Sequence, residues 1–200
     1  MSILTVEHLS HGFGDRAIFQ DVSFRMLKGE HIGLVGANGE GKSTFFNIIT
    51  GAQRPDEGKI EWAKNINIGY LDQHTVLEKG LSIRDVLKSA FADLFEMEIR
   101  MNTICEQLCD ADEDTMNALM EELGVIQDTL TLRDFYLIDS KVDEIARAFG
   151  LTDIGLDKDV TDLSGGQRTR ILLGKLLLQK PDILLLDEPT NYLDAEHIEW

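Results

Sequence analysis

The sequence G-A-N-G-E-G-K-S-T occupies residues 36–44 and has the spacing G-x-x-x-x-G-K-[ST] of a P-loop. Its glycines let the backbone turn tightly, so that consecutive N–H groups point inward at the oxygens of an anion. Such a loop favours a polyphosphate, with Lys42 reaching the outer phosphates and Ser43 offering a hydroxyl to Mg²⁺. The residues that we expect to bind the phosphates are Gly36, Asn38, Gly39, Gly41, Lys42, Ser43 and Thr44.

The residues on either side of this loop predict a strand and a helix. Residues 30–35 are an apolar run of the length of a buried strand, and residues 44–50 have the pattern of the first turns of a helix. A loop that leads from a strand into a helix adds the positive end of the helix dipole to the anion site. Glu40 is an acid inside the loop, so we expect its side chain to point to solvent while its amide faces the phosphates.

The composition narrows the class of protein. Two hundred residues, 43% of them hydrophobic, suit one α/β domain or one domain with an insertion. Because no apolar run reaches the ~18 residues of a membrane span and no signal peptide is evident, we expect a cytoplasmic protein. Cys105 and Cys109 lie four residues apart in a helical pattern, which predicts reduced thiols rather than a disulfide. The net charge of −17 argues against general attraction to nucleic acid.

Short stretches of alternating polarity around the P-loop predict several strands. Phe13 lies in the turn after the first of them, where it could stack on an adenine ring or pack on its own sheet. Gly51 marks the expected end of the P-loop helix. Gln73 leaves a strand end, where its side chain can reach a metal or a water. The predicted strands are residues 3–6, 22–26, 59–62 and 66–71.

A long helical pattern separates these strands from the second half of the chain. Apolar residues recur every three and four positions over residues 87–108 and again over residues 116–130, as in the seams of coiled-coil helices. Between the seams, Asp112 or Asp114 could cap the second helix. We expect an antiparallel helical hairpin whose first arm is on the order of 35 Å long. Residues 84–139 contain fourteen acidic and four basic residues, a net charge of −10.

A second glycine turn, L-S-G-G-Q at residues 163–167, opens a predicted helix at residues 168–179 and presents another helix N-terminus to an anion. Residues 181–188 then form the pattern of a buried strand that ends in two carboxylates. With a P-loop upstream, Asp187 is expected to hold Mg²⁺ through its water shell. Glu188 is expected to orient and deprotonate the attacking water.

The P-loop, Gln73, L-S-G-G-Q and L-L-L-D-E-P-T follow one another in the order of an ATP-binding cassette domain, which the chain resembles over nearly all of its length. The resemblance implies an α/β fold with a mainly parallel core sheet, an antiparallel β subdomain and a helical subdomain that carries the hairpin. It also implies that Mg-ATP is bound between the P-loop of one cassette and the L-S-G-G-Q of a second, and is hydrolysed there. The roles implied are adenine stacking for Phe13, γ-phosphate sensing and metal binding for Gln73, capping of the partner's ATP for Ser164, Gly166 and Gln167, and coupling of the two sites for Leu193 and Asp194.

The motif E-P-T-N-Y-L-D at residues 188–194 resembles the E-P-T-N-H-L-D of the F subfamily, soluble tandem-cassette proteins that act on ribosomes. Tyr192 departs from the histidine usual there. The hairpin resembles the arm insertion in the first cassette of that subfamily. The resemblance implies an ATPase that acts on the ribosome in translation or antibiotic protection, although the net charge of −17 argues against direct binding of nucleic acid by this chain. The alternatives are the ATPase cassette of a membrane transporter and an ATP-dependent binding module with negligible turnover.

The resemblance further implies an incomplete cassette, nearly inactive alone. The chain stops at Trp200, before the switch histidine and the last strands of the family, so we expect an N-terminal fragment of a longer protein. Within it, we expect residues 1–80 to form the antiparallel β and P-loop part. Residues 81–160 are expected to form the helical subdomain, with the arm at residues 84–131. Residues 161–200 would supply the helix that begins at L-S-G-G-Q (the signature helix), the strand that leads to Asp187 and Glu188 (the Walker B strand) and the turn that follows it (the D-loop).

Overall fold

The computed structural model describes residues 2–71 and 77–187, which form two compact units. The first unit contains residues 2–71 and 181–187, and the second contains residues 77–180. The P-loop and Asp187 therefore belong to the first unit, whereas the L-S-G-G-Q sequence belongs to the second.

An antiparallel sheet forms one side of the first unit. Its strands are β1 (Ser2–Phe13), β2 (Arg16–Leu27) and β3 (Glu57–Trp62). β1 lies between the other two, and its side chains Leu4, Val6 and Leu9 are almost fully buried. The buried set moves from even to odd positions because the pairing with β2 shifts register between Val6 and Leu9. The strands predicted within these ranges are confirmed, and all three extend further than predicted.

A helix and two parallel strands complete the first unit: α1 (Lys42–Ile49), β4 (Ile68–Leu71) and β5 (Ile183–Leu186). β4 and β5 pair in parallel, with Ile68 opposite Ile183. The ring of Phe46 on α1 stacks on Tyr70 of β4 at a centroid distance of 5.8 Å. Residues of α1, β1 and β5 share one buried apolar cluster. This burial fixes the helix that follows the P-loop against the strand that leads to Asp187.

The prediction of a buried strand at residues 30–35 is wrong, because these residues form no strand and the side chain of Val35 is 95% exposed. A strand needs a hydrogen-bonding neighbour, and β4 and β5 pair with each other but not with this segment. The segment instead begins with a tight turn, in which a carboxylate oxygen of Glu30 accepts a hydrogen bond from the amide of Leu27 at 2.7 Å. An apolar run indicates that a segment can be buried as a strand, but it does not indicate whether another strand lies beside it.

Helices form the second unit. The main helices are α2 (Ile83–Lys88), α3 (Ala92–Gln107), α4 (Glu113–Leu132), α5 (Ile138–Ala148) and α6 (Gly165–Leu178). Their apolar faces meet in one core, in which Leu87, Leu130 and Ile171 have no measurable exposure. Within the described residues, no helix combines the length and apolarity that crossing a membrane requires.

The continuous first seam predicted for residues 87–108 is interrupted. A 3₁₀ turn at Ser89–Phe91 separates α2 from α3, and the hydroxyl of Ser89 donates a hydrogen bond to the carbonyl oxygen of Val86 at 2.6 Å. A serine that bonds to the backbone of the preceding turn competes with the regular helical ladder. The straight part of the first arm is therefore the sixteen residues of α3, about 24 Å long.

The predicted antiparallel hairpin is confirmed in α3 and α4. The guanidinium of Arg100 on α3 donates two hydrogen bonds of 2.7 Å to the carboxylate of Glu122 on α4. Of the two candidate caps, Asp112 caps α4 by accepting from the amide of Thr115 at 2.9 Å, and this bond lowers the pKa of Asp112. The pairing with Arg100 likewise lowers the pKa of Glu122. Cys105 and Cys109 are free, as predicted.

Gly124 offers a test of the hairpin. It lies inside α4, and a Cβ added there meets no atom within 4 Å. Because glycine in a helix interior costs about 0.5–1 kcal/mol relative to alanine, Gly124→Ala is expected to stabilise the helical unit by that amount. The measurement is urea unfolding followed by circular dichroism at 222 nm. A lower unfolding midpoint in the variant would contradict the open environment of Gly124.

Gly58→Ala is the matched control with the opposite sign. Gly58 has φ of +100°, and its added Cβ would lie 2.5 Å from the carbonyl oxygen of His8. The same glycine-to-alanine change is therefore expected to destabilise the first unit by about 2 kcal/mol or more, since both strain and backbone overlap oppose it.

Candidate functional site

The P-loop runs directly into α1, and two of its glycines have left-handed backbone conformations. Gly39 has φ of +82° and Gly41, the N-cap of α1, has φ of +97°. Residues that carry a Cβ atom are strained in this left-handed conformation, whereas glycine is not. A Cβ at Gly41 would also lie 2.3 Å from Cγ2 of Ile18, which occupies the space that glycine leaves. Glycine is therefore required at position 41 for two independent reasons.

Lys42 begins α1, and its side chain lies back along the loop. Its Nζ atom donates hydrogen bonds to the carbonyl oxygens of Gly36 at 2.9 Å and Ala37 at 3.1 Å. The ammonium group therefore lies at the entry of the loop, and the N-terminus of α1 lies at its exit. A positive charge and a helix N-terminus at one loop create a site for an anion.

The side chain of Glu40 does not point freely to solvent as predicted. Its residue is exposed, but Oε2 turns back and accepts a hydrogen bond from the amide of Ala37 at 2.7 Å. A backbone N–H is a favourable partner for a carboxylate, since charge-assisted hydrogen bonds are stronger than neutral ones. The same oxygen lies 2.8 Å from where a Cβ on Gly36 would be, so glycine at position 36 makes room for it.

The residues predicted to bind Mg²⁺ lie on two elements of the first unit. Ser43 is exposed on the first turn of α1, and Asp187 directly follows β5 with only 6% of its side chain exposed. In the described part of the chain, no three His, Cys, Asp or Glu residues form a cluster that could hold a metal. One hydroxyl and one carboxylate fit Mg²⁺ bound together with a phosphorylated ligand, because Mg²⁺ is usually held by few protein groups and substrate phosphates.

Phe13 ends β1 and is 54% exposed. Its ring meets His11 edge to face, at a centroid distance of 5.0 Å and an angle of 85°. His11 is buried, and its Nδ1 lies 3.3 Å from Oδ2 of Asp56 without a hydrogen bond. Asp56 also accepts a hydrogen bond from the amide of Gly12 at 2.9 Å. Phe13 therefore contacts its own sheet on one side and leaves much of its surface open to a ligand.

The start of β2 is a part of the site that the sequence reasoning missed. Ile18 packs on Gly41, and the guanidinium of Arg16 donates a hydrogen bond to the carbonyl oxygen of Gly39 at 3.4 Å. Residues two apart on a strand share a face, so Arg16 and Ile18 lie along the loop together. The available signal was this alternation at the beginning of the strand after Phe13.

In the second unit, L-S-G-G-Q forms the N-terminus of α6, which begins at Gly165 rather than at the predicted Arg168. The hydroxyl of Ser164 accepts from the amide of Gln167 at 3.3 Å, and the side-chain oxygen of Gln167 accepts from the amide of Ser164 at 2.9 Å. This reciprocal pair is a capping box. Ser164 and Gln167 thus have a structural role in starting the helix.

Four residues with predicted roles lie outside the described residues. They are Gln73, Glu188, Leu193 and Asp194.

The family model described as ABC transporter matches residues 19–191. An uncharacterized ABC transporter ATP-binding protein of Bacillus subtilis (strain 168), YfmM, is 72% identical over the whole chain, which spans 39% of that relative. The energy-dependent translational throttle protein EttA of Mycobacterium tuberculosis (strain H37Rv) is 36% identical over 99% of the chain and 35% of its own length.

Two further similarities agree with this match. ABC transporter F family member 2 of Arabidopsis thaliana is 34% identical over 98% of the chain and 29% of its own length. The solved structure of an ATP-binding subunit of an ABC transporter superposes with a TM-score of 0.66 and 21% identity, over 98% of this chain and 70% of that one. The superposition supports the α/β cassette fold. Since the family model covers more than half of its residues, the chain belongs to the ABC transporter family, with relatives in the F family.

Proposed function

We propose that this chain binds Mg-ATP and that ATP binding and hydrolysis close and reopen a pair of cassettes in an F-subfamily ATPase that acts on the ribosome. The observation that carries the ATP part is the loop of residues 36–44, where Lys42 lies at the mouth of a helix N-terminus. Asp187 lies in the same compact unit, at the end of a strand whose apolar side chains share a cluster with α1. A phosphate-binding loop and a buried carboxylate on one core suit a nucleoside triphosphate bound with Mg²⁺.

Each residue has a distinct task in this proposal. The amides of the loop and Lys42 bind the phosphates, and Phe13 provides a surface for adenine. Ser43 and Asp187 would hold Mg²⁺, which when bound neutralises part of the phosphate charge. Glu188 follows Asp187 directly, and we assign it the removal of a proton from the attacking water.

The second unit would serve the ATP of a partner cassette. The side-chain oxygens of Ser164 and Gln167 each accept from the other residue's backbone amide, so these side chains hold the N-terminus of α6 in place and are not available to a ligand. The free amides at the start of α6, next to Gly165 and Gly166, are then the groups that meet the phosphates of the partner's ATP. A second cassette fits the share of the YfmM relative, 39%, that the chain spans.

The ribosome enters the proposal through the relatives. EttA is named as a translational throttle protein, and another relative is named as an F family member. The ribosome is the machine that a throttle of translation would slow, and an F-subfamily protein could act on it in ordinary translation or in antibiotic protection. The hairpin of α3 and α4 is the surface that we assign to this contact.

The charges of the hairpin indicate which kind of ribosomal surface it fits. All four basic residues of 84–139 form ion pairs within the chain: Arg84 with Asp143, Lys88 with Asp139, Arg100 with Glu122, and Arg133 with Asp93. Gripping rRNA phosphates requires available lysine and arginine side chains that release counterions. We therefore assign the hairpin to a basic ribosomal protein, with the main RNA contacts made elsewhere in the assembly.

The first prediction concerns Glu188. Glu188→Gln, in the protein encoded by the complete open reading frame, is expected to lower steady-state ATP turnover by ~10²- to 10⁴-fold, since a general base is lost while phosphate binding is retained. Turnover is measured by phosphate release. Glu96→Gln, at an exposed position on α3, makes the same charge change as a control. Turnover of Glu188→Gln within about threefold of the unchanged protein would remove Glu188 from this role.

The second prediction concerns the need for two cassettes. The 200-residue chain alone is expected to hydrolyse ATP slowly, with a specific activity that rises with protein concentration, because each P-loop needs an L-S-G-G-Q from another copy. Phosphate release is compared over a hundredfold range of protein concentration, with the association state followed by light scattering. A constant specific activity from a monomer would contradict the two-cassette arrangement.

The third prediction concerns the hairpin. In the complete protein carrying Glu188→Gln, replacing residues 96–130 by a short glycine linker is expected to weaken co-sedimentation with ribosomes partially, and crosslinks from the intact hairpin are expected mainly on a basic ribosomal protein. The replacement keeps Asp93 and Arg133, which pair at the base of the hairpin. Crosslinks mainly to rRNA, with complete loss of binding in the deletion, would refute this division of labour.

A charge variant separates shape from electrostatics in the same assay. Glu106→Gln, Asp110→Asn and Glu121→Gln together remove three exposed acids from the hairpin and leave its Arg100–Glu122 pair intact. Weaker binding of this variant is expected, and unchanged binding would exclude an acidic docking surface. If neither the protein with the intact hairpin nor the glycine-linker form associates with ribosomes, the transporter cassette or the binding module with negligible turnover is favoured instead.

A further inference from the structure

Arg16 is placed beside the P-loop by the strand that it begins. The first side chains of β2 on the loop side are Arg16 and Ile18, and each of them meets a P-loop glycine. Ile18 fills the space beside Gly41, and the guanidinium of Arg16 reaches the carbonyl oxygen of Gly39. Because Gly41 admits no side chain, the strand approaches the loop closely. This approach brings the charge of Arg16 to the loop.

The bond that Arg16 makes is weak and easily exchanged. Its donor and acceptor lie 3.4 Å apart, beyond the usual range for N–H···O bonds, and the acceptor is a neutral, exposed carbonyl. A phosphate oxygen accepts roughly twice as strongly, and the planar guanidinium can donate to two phosphate oxygens at once. Arg16 would therefore gain by turning from Gly39 to a phosphate.

The charge of Arg16 has no acidic partner among residues 2–71 and 77–187, because no carboxylate there forms an ion pair with it. Arg54, Arg147, Arg168 and Arg170 also lack an ion pair in that part of the chain, and Arg16 is the one of these whose guanidinium contacts the P-loop. Glu40, the acid inside the loop, is turned to the amide of Ala37 instead. A cation without an acidic partner at an anion-binding loop points to an anionic ligand.

We propose that Arg16 is a nucleotide-binding residue, which donates from its guanidinium to phosphate oxygens of a nucleoside triphosphate held by the P-loop. Phe13 lies three residues earlier on the same hairpin, so one hairpin would contact the base through Phe13 and the phosphates through Arg16. This assignment rests on the proposed binding of ATP. It adds a second cation beside Lys42, from a different strand, to the phosphate site.

The test compares two ligands, Mg-ATP and inorganic tripolyphosphate, by titration calorimetry with the full 200-residue chain. Arg16→Gln is expected to weaken the binding of both ligands about tenfold, since each contains the phosphates that the guanidinium contacts. Arg16→Lys keeps the charge but loses the paired donors of the guanidinium, so an intermediate loss of about threefold is expected. Phe13→Ala is expected to weaken ATP binding alone, because tripolyphosphate has no base.

A structural brace on Gly39 predicts a different result. The side chain of glutamine ends two bonds short of the Arg16 nitrogen that reaches Gly39, so a brace would be lost in Arg16→Gln and Arg16→Ala alike. Loss of a brace would lower the unfolding temperature of the ligand-free chain, whereas loss of a phosphate contact leaves that temperature unchanged and weakens only ligand binding. Arg25→Gln is the matched control, because it removes one positive charge from the far end of the same strand, where Arg25 lies 3.9 Å from Glu7. Arg25→Gln is expected to leave the affinities for Mg-ATP and tripolyphosphate unchanged. If it weakened them tenfold, the effect of Arg16→Gln would be explained by the loss of one positive charge from the chain and not by a contact with phosphate.

The outcomes separate this assignment from the proposed function. If Lys42→Ala abolishes ATP binding while Arg16→Gln leaves it unchanged, the role of Arg16 is overturned and the ATP site is retained. Absence of ATP binding by the unchanged chain at millimolar ligand would overturn both. The circular dichroism spectrum of each variant is compared with that of the unchanged chain, to check that the substitution has not altered the fold.

Discussion

The site depends on one close approach, that of Ile18 to the backbone of Gly41. The distance from the Cγ2 atom of Ile18 to an added Cβ would be 2.3 Å, so strand and loop meet only because position 41 has no side chain. The same residue is the N-cap of α1 with a left-handed backbone, which turns the chain from the loop into the helix. Lys42 follows at once and lies along the loop. A single glycine thus sets the positions of strand, loop and helix.

The second constraint is electrostatic. The chain has a net charge of −17, yet its phosphate site requires positive potential. The structure meets this locally: Glu40, the acid within the loop, is bound to an amide at the loop entry, and Asp187 is buried at a strand end where Mg²⁺ would offset its charge. Among the described residues, Asp187 is the only acid that is buried, and acids on the hairpin form ion pairs with its basic residues. The proposed phosphate contacts of the first unit are therefore confined to the P-loop, while the hairpin remains acidic.

The sequence predicted the parts whose signals are local. The P-loop follows from its glycines, the hairpin from its periodic apolar residues, and the cap of α4 from an Asp at the reversal, although only the structure chose Asp112 over Asp114. The errors concern partners. Residues 30–35 have the composition of a strand but no described strand pairs with them, and the bond of Ser89 to Val86 that interrupts the first arm competes with a helical pattern that looked continuous. The contact of Arg16 with Gly39 joins residues 23 apart, and no spacing rule connects them.

The capping box of α6 clarifies how one motif can serve both folding and ligand binding. Ser164 and Gln167 satisfy two of the backbone N–H groups at the helix start, those of Gln167 and Ser164 themselves. The amides of the first turn have no intrahelical partner, so a fixed helix end still presents donors in a defined direction. Because each side-chain oxygen accepts from the backbone amide of the other residue, the helix start is already ordered and its donors lose little entropy on binding. An L-S-G-G-Q sequence can therefore act on a partner's phosphates through its backbone, while its polar side chains keep that backbone in place.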